Sequence, residues 1–517
     1  MREHLERELK LRPRAGFVLP ELGGESLPTR IFVSTYHDTA DLALARHGVT
    51  FRYRIEDGAG LWQLKLPKGV ARIELEEPGA PARPPAEMTA LLVAYVRDRP
   101  LVPVARLRTR REGVRARGAE IVDDSVAVME GPRVTRRFRE VEIDLLEGDE
   151  RTLRRLEKEI RAAGADAAET TPKLYRALDL TLPAGPVEVT PSTPPVEALG
   201  LALEEQLRRL LAHDPGTRLG TDIEDLHQLR VSTRMLRAYL RTARALVDRR
   251  WADDLRVELG WLGRALGPAR DLDVLLEWLS ADVSEVGNGA PEGAALLAHV
   301  EAERGPARKV VLEALSSERY LLLLEWLSAD VSEVGNGAPE GAALLAHVEA
   351  ERGPARKVVL EALSSERYLL LLDRLEQAVA PPASGDTTPL GRIWAKETKR
   401  LRAAVKALGK NPPDERLHAV RIDVKRARYA AALAAHELGK AGARFVEAAK
   451  AAQDVLGEHQ DSVIAEERIA AWAAERPSAK RFAARLVERE HERQYEARRS
   501  WPAAWKELDA AARKVEV

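Results

Sequence analysis

The sequence contains no cysteine. Disulfides, thiol nucleophiles and cysteine-ligated metal sites are therefore excluded. It contains no apolar run near the ~20 residues of a membrane span; stretches such as "YLLLLEWL" are the longest of their kind. It has almost no excess of either charge, with 81 Lys and Arg against 82 Asp and Glu. A basic site, if there is one, must be local. The opening "MREHLEREL" is too charged for a signal peptide. Together these features predict a cytoplasmic protein that does not engage a membrane. At 517 residues the chain exceeds one compact core, so two or three domains are expected.

What is present divides sharply. Up to about residue 150 the chain reads as β. "RIFVSTYHD", "VTFRYRIED", "LWQLKLP", "ARIELEE", "ARLRTRR", "AEIVDDSVAV" and "RFREVEIDLL" are short, often alternating, and bounded by Gly, Pro or Asp. With an opening strand in "HLERELKL" they number about eight, enough to close a small barrel with a usable interior. "DERTLRRLEKEIRAAGA" reads as a helix, and the Pro-rich stretch 182–197 reads as a linker. From there to the end, apolar residues recur three and four apart with charges between them, as in an all-α domain. The expected organisation is 1–181, a linker at 182–197, and 198–517.

Inside the helical part, a stretch of sequence beginning at Leu275 recurs unchanged beginning at Leu323, an offset of 48. Structural repeats keep a pattern, not every letter. Identity at unconstrained positions such as "SEVGNG" points to a recent duplication or an assembly error, and no function is assigned to it.

The β region carries its charges in an unusual way. Glu6, Glu8 and Lys10 alternate, as do Arg52 and Arg54, Gln63 and Lys65, Arg72, Glu74 and Glu76, Arg106, Arg108 and Arg110, and Glu140 and Glu142. Alternate residues of a strand share a face. The opposite faces carry Phe51, Tyr53, Leu64, Leu66, Ile73, Leu75, Val141 and Ile143. Two architectures fit. One is a sheet with a single solvated, ion-paired face. The other is a barrel turned inside out, apolar faces against helices and mixed charges within. The second has a chemical use, since a triphosphate needs surrounding Arg and Lys donors and a divalent cation on its oxygens needs carboxylates.

The motif "ERELK", followed in order by "YHDTADLALARHGVTFRYR", "WQLKLPKG", "FREVEIDL" and "PKLYRAL", resembles the CYTH superfamily of triphosphate tunnel enzymes over residues 1 to about 180. The resemblance implies an eight-stranded antiparallel tunnel with a charged interior, flanking helices, and dependence on Mg²⁺ or Mn²⁺. It implies Glu6, Glu8, Glu140 and Glu142 as metal-side carboxylates. It implies Lys10, Arg52, Arg54, Lys65, Arg108, Arg110 and Lys173 as phosphate-side cations. Glu74, Glu76 and Asp124 are further acidic candidates whose strand register the sequence leaves open. The family includes inorganic triphosphatases, thiamine triphosphatases and class IV adenylate cyclases, and the motifs do not choose among them.

The helical part carries a different signal. In "LHQLRVSTRMLRAYLR", His227, Arg230, Arg234, Arg237 and Arg241 fall within an arc of roughly 80° on one helix. "LHAVRIDVKRARYAAAL" repeats the spacing with His418, Arg421, Lys425 and Arg428. "LGPARDLDV" follows the first stripe and "LGEHQDSVI" the second, so the domain reads as a two-fold repeat of a helical unit. Like charges at this spacing repel. Asp271 and Asp461 are candidate partners that would offset this, and so would a polyanion; a solvated, ion-paired bundle face is the plainer alternative. These segments resemble the CHAD domain, the conserved histidine α-helical domain, which the resemblance implies binds inorganic polyphosphate.

The composite expectation is metal-dependent hydrolysis of a short triphosphate in the tunnel. Inorganic triphosphate is favoured because no feature announces a nucleobase pocket. Polyphosphate would be held by the basic helices. The alternatives are a polyphosphate-binding protein with a silent tunnel, a cyclase or a thiamine triphosphatase. A nucleic-acid binder is disfavoured by the near-zero net charge and the lack of a recognition motif.

Overall fold

The computed structural model describes residues 2–69, 71–168, 171–181, 187–287, 339–410, 412–474, 476 and 479–515. Part of the linker at 182–197, most of the first duplicated copy and the opening residues of the second fall outside these residues. The chain forms two compact units, 1–186 with 211–219, and 187–210 with 220–517. No helix among the described residues is long and apolar enough to cross a membrane.

The first unit contains, in chain order, β1 (Arg2–Glu6), β2 (Glu8–Pro13), β3 (Glu25–Asp38), α1 (Ala43–Arg46), β4 (Thr50–Glu56), β5 (Ala59–Lys68), β6 (Ala71–Pro78) and α2 (Ala86–Val96). It continues with β7 (Val102–Ala116), β8 (Ala119–Glu130), β9 (Arg133–Leu145), α3 (Glu150–Ala162), β10 (Ala165–Ala168) and α4 (Lys173–Leu178). The sheet runs β1-β6-β5-β4-β3-β7-β8-β9-β2-β10. Its two ends are the same segment. β1 and β2 are one strand interrupted at Arg7, the first half pairing with β6 and the second with β9. That strand closes the sheet into an antiparallel tunnel, and β10 adds a short pairing beyond it.

The alternation explains the closure. Outward-facing Leu11, Ile121, Val141 and Ile143 form a core with Leu156 and Ile160 of α3. Asp149 caps α3 by accepting from the amides of Arg151 and Thr152, a device worth about 1 kcal/mol. On the far wall Phe51, Tyr53 and Trp62 are buried on the outer face, with Phe51 stacked on Trp62 at 4.8 Å between centroids. The inner face is polar for only part of its length. Inward-facing Tyr36, Leu107 and Val126 pack against Leu174 and Tyr175 of α4, which stops one end of the tunnel with apolar contact.

The second unit is helical: α5 (Pro195–Leu219, whose last residues group with the first unit), α6 (Ile223–Thr242), α7 (Arg249–Gly287), α8 (Pro339–Leu363) and α9 (Glu366–Gln377). It ends with α10 (Leu390–Lys406), α11 (Asp414–Leu433), α12 (Ala435–Ala474, kinked at Gly439) and α13 (Lys480–Arg513). α6 buries Leu229, Leu236 and Leu240, and α11 buries Leu417, Val420 and Val424. This helical spacing leaves the cationic stripes on other faces. α6 packs on α7, α11 on α12, and α6 on α11.

Candidate functional site

β8 and β9 stand side by side with Asp124 opposite Glu140, and β2 and β9 with Lys10 opposite Glu142. Asp124 and Glu140 are fully buried and Glu142 is 4% exposed. Each offers an oxygen within 4.8 Å of the others, a group that could hold a metal ion. Three hard carboxylate donors suit Mg²⁺ or Mn²⁺ rather than a soft metal. Glu140 Oε1 is buried without a well-aligned hydrogen bond; its close cation is the Lys173 ammonium at 3.1 Å.

Cations surround the triad. Lys173, at the start of α4, brings its ammonium 2.5 Å from Asp124 and 3.1 Å from both Glu140 and Glu142. Arg111 pairs with Asp124 through Nε at 2.8 Å and Nη2 at 2.7 Å, and reaches Glu142 at 2.5 Å. Lys10 bridges Glu8 at 2.8 Å and Glu142 at 3.4 Å. Arg176 holds the other oxygen of Glu140 at 3.0 Å.

Burial works to raise the Glu142 carboxyl, but Lys173, Lys10 and Arg111 overcome it and hold Glu142 well below the usual range. Burial pushes Glu140 up, and the neighbouring Glu142 charge adds to that. The two adjacent carboxylates are thus driven apart in acidity. Burial works against the Lys173 charge, yet the three carboxylates hold its ammonium well above the usual range.

Along the tunnel, Lys65 meets Glu74 at 3.2 Å, and Arg52 donates to Gln63 at 2.8 Å and to the Tyr36 hydroxyl at 3.2 Å. Arg54 pairs with Glu56 and lies over the Phe32 ring at 3.7 Å. Burial, then the nearby Arg52 charge, bring Arg54 down to about 10.

The structure therefore brings together Glu8, Lys10, Arg52, Arg54, Lys65, Glu140, Glu142 and Lys173. Glu6 stands opposite Arg72 in the backbone register; its side chain lies outside the described residues. Arg108 and Arg110 do not join the others. β7 turns Leu107, Thr109 and Arg111 inward, and Arg106, Arg108 and Arg110 are exposed on the outer face. Arg110 pairs there with Glu112 at 2.6 Å. The Arg110–Arg111 doublet hid the correct parity. Arg111, Asp124 and Arg176 are the residues the sequence reading omitted or left unassigned.

In the helical unit the two stripes converge. Arg230 donates to the Gly267 carbonyl at 2.8 Å and to Asp271 at 2.7 Å. At the matching place, a Cβ on Gly457 would come within 3.3 Å of the Arg421 guanidinium, and Asp461 acts on that guanidinium. His227 Nδ1 accepts from Arg270 at 3.2 Å, while His418 Nδ1 meets Gln460 at 2.7 Å. Accepting from a guanidinium requires His227 Nδ1 to be unprotonated. Burial and then the Arg270 charge lower its pKa.

The cations are only partly balanced. Burial, then Arg421 and Arg234, bring Lys425 down to about 8. Burial and Arg234 lower Arg421 against the pull of Asp461. Burial lowers Arg237, helped by Arg256 and Arg264, and Arg241, helped by Arg426. Arg428 lies over the Tyr429 ring at 5.1 Å. Gly260, Gly263 and Gly267 of α7 face Arg237, Thr233 and Arg230 of α6. This glycine stripe, legible in "GWLGRALG", lets the basic helix lie close.

A CYTH domain model matches residues 4–175, and a CHAD domain model matches 201–331 and 321–470. The chain is a CYTH–CHAD protein. Uncharacterized proteins of two Mycobacterium tuberculosis strains are 30% identical over 566 aligned positions, covering 99% of this chain and 98% of theirs. Among solved structures, PptA from Streptomyces chartreusis aligns with TM-score 0.45 and 22% identity, covering 61% of this chain and 100% of that one. The CHAD domain from the plant Ricinus communis aligns with TM-score 0.43 and 22% identity, covering 64% of this chain and 96% of that one. The CYTH domain is the charged tunnel and the CHAD domain the helical unit.

Proposed function

We propose that the CYTH domain hydrolyses a short triphosphate, inorganic triphosphate in first place, and that the CHAD domain binds inorganic polyphosphate. The observation that carries the first part is the division of charge inside the tunnel. Asp124, Glu140 and Glu142 form a buried acidic centre on one wall, and Arg52, Arg54 and Lys65 stand on strands β4 and β5 of the other. Arg54 and its neighbours supply donors for phosphoryl oxygens. A bound Mg²⁺ or Mn²⁺ would polarise a phosphoryl oxygen toward attack by water. Glu142, ionised, and Glu140, the more easily protonated of the two, are suited to orient that water and hold its proton.

A silent tunnel is the second reading, favoured by one observation: the Lys173 ammonium stands among all three carboxylates, where a metal ion would compete with it. The test is phosphate release from tripolyphosphate with Mg²⁺ or Mn²⁺, wild type against Asp124→Asn. Release that disappears in the variant supports hydrolysis. No release from tripolyphosphate, ATP or thiamine triphosphate would move the reading to polyphosphate binding alone. Cyclic AMP from ATP would indicate a cyclase.

A further inference from the structure

The outer face of β7 and β9 carries charge that the tunnel does not use. Arg106 and Arg108 on β7 and Arg137 on β9 are exposed. Among the described residues none of the three has an ion-pair partner, whereas their neighbours Arg110 and Arg139 are matched by Glu112 and Asp123. Arg108 and Arg137 both pair with Ala127 of β8, which sets them about 10 Å apart across one intervening strand. Arg106 lies about 7 Å further along β7. The residues beside them in the register are Val33, Thr35, Ala127 and Met129. These side chains are short or flexible and none covers the guanidiniums.

We propose that this face is a second anion-binding surface, with inorganic polyphosphate as its occupant. The proposal is separate from the tunnel and rests on the reading of the protein as a polyphosphate binder. Charge complementarity supplies the first reason. Three unpaired guanidiniums on an open face, in a chain of net charge -1, form a local excess that a polyanion would neutralise. The flanking residues supply the second. Single-stranded nucleic acid is held by aromatic rings that stack on bases as well as by cations, and none of the register neighbours is aromatic. A flexible chain with an anionic group in every repeat needs only the cations.

The experiment measures binding of polyphosphate about a hundred units long to the full chain at several salt concentrations, in four forms. They are wild type, Arg234→Ala/Arg421→Ala/Lys425→Ala in the CHAD domain, Arg106→Ala/Arg108→Ala/Arg137→Ala on the sheet, and all six together. We expect the CHAD variant to retain weaker binding whose log K against log salt has a slope of about 2 in magnitude, the value for three cations on a single-stranded polyanion. The six-fold variant should lose it, and Arg106→Lys/Arg108→Lys/Arg137→Lys in the CHAD background should keep it.

If wild type binds but the CHAD variant retains nothing, the surface is not a site and only this proposal falls. The same holds if the three sheet alanines leave residual binding and its salt slope unchanged. Equal affinity for single-stranded DNA of the same phosphate number would make it a nucleic-acid surface, against the proposal. If wild type binds no polyphosphate, both this proposal and the CHAD reading fail.

Discussion

Arg111 grips Asp124 with two parallel hydrogen bonds inside the tunnel, while Arg110, one residue earlier, turns outward to Glu112. The pleat separates two chemically identical side chains into different environments. Replacing Arg111 with Ala leaves Asp124 and Glu142 short of a cation in a buried setting, which costs about 3 kcal/mol. Triphosphate affinity should fall with it, roughly tenfold or more. Arg110→Ala removes an exposed pair worth about 0–1 kcal/mol. Thermal melts and tripolyphosphate titrations of the two variants side by side check this; equal effects would overturn the assigned parity.

The acidic centre sets an acid limit on stability. The folded-state pKa values of Glu142, Glu8 and Asp124 lie below their ordinary values; the nearby cations outweigh burial. Such groups contribute stability that is present above their ordinary pKa near 4 and lost as pH falls through the lowered folded values. Stability should therefore drop steeply below about pH 4. Glu142→Gln should remove part of that dependence and also cost about 3 kcal/mol at neutral pH, since Lys10, Lys173 and Arg111 lose a buried counter-charge. Urea unfolding at pH 3, 4 and 7 reads both effects.

In the CHAD domain the pH slope has the same sign but a different cause, an ammonium whose charged form the fold disfavours. The folded-state pKa of Lys425 is about 8, below its ordinary value. The folded chain thus binds fewer protons than the unfolded chain between about pH 8 and 10.5, and stability rises with pH across that window. Polyphosphate favours the charged ammonium, so binding takes up protons there. Affinity should fall by roughly tenfold from pH 7 to 10, as one charged contact is lost. Lys425→Arg, which stays charged, should flatten the profile.

The tunnel was largely legible in the sequence because period-two alternation of charge survives on β2, β4, β5 and β9. It failed on β7, where the face richer in arginine, that of Arg106, Arg108 and Arg110, is the outer one, and only the register with β8 puts Arg111 opposite Asp124 inside. Closure by one interrupted strand was also beyond the sequence, because pairing partners 70 residues away leave no local mark. The same holds for Lys173: "PKLYRAL" offers a lone lysine, and only the fold brings three carboxylates to it. The helical stripes were readable from spacing, but their convergence depends on α6 packing against α11.

That convergence sets function against stability at Arg234. Its guanidinium is exposed and acts against the charges of both Arg421 and Lys425. Arg234→Ala removes a repulsion without opening a buried gap, so the domain should hold its thermal midpoint or gain slightly. The Lys425 pKa should move back toward its ordinary value, shifting the pH profile of binding upward. On the proposed polyphosphate reading Arg234 is a direct donor, so affinity should nevertheless fall and the salt slope should decrease by about 0.7. A variant that lost stability and kept full affinity would mean that Arg234 supports the helices and does not hold the ligand. Melting curves with and without polyphosphate separate the two outcomes.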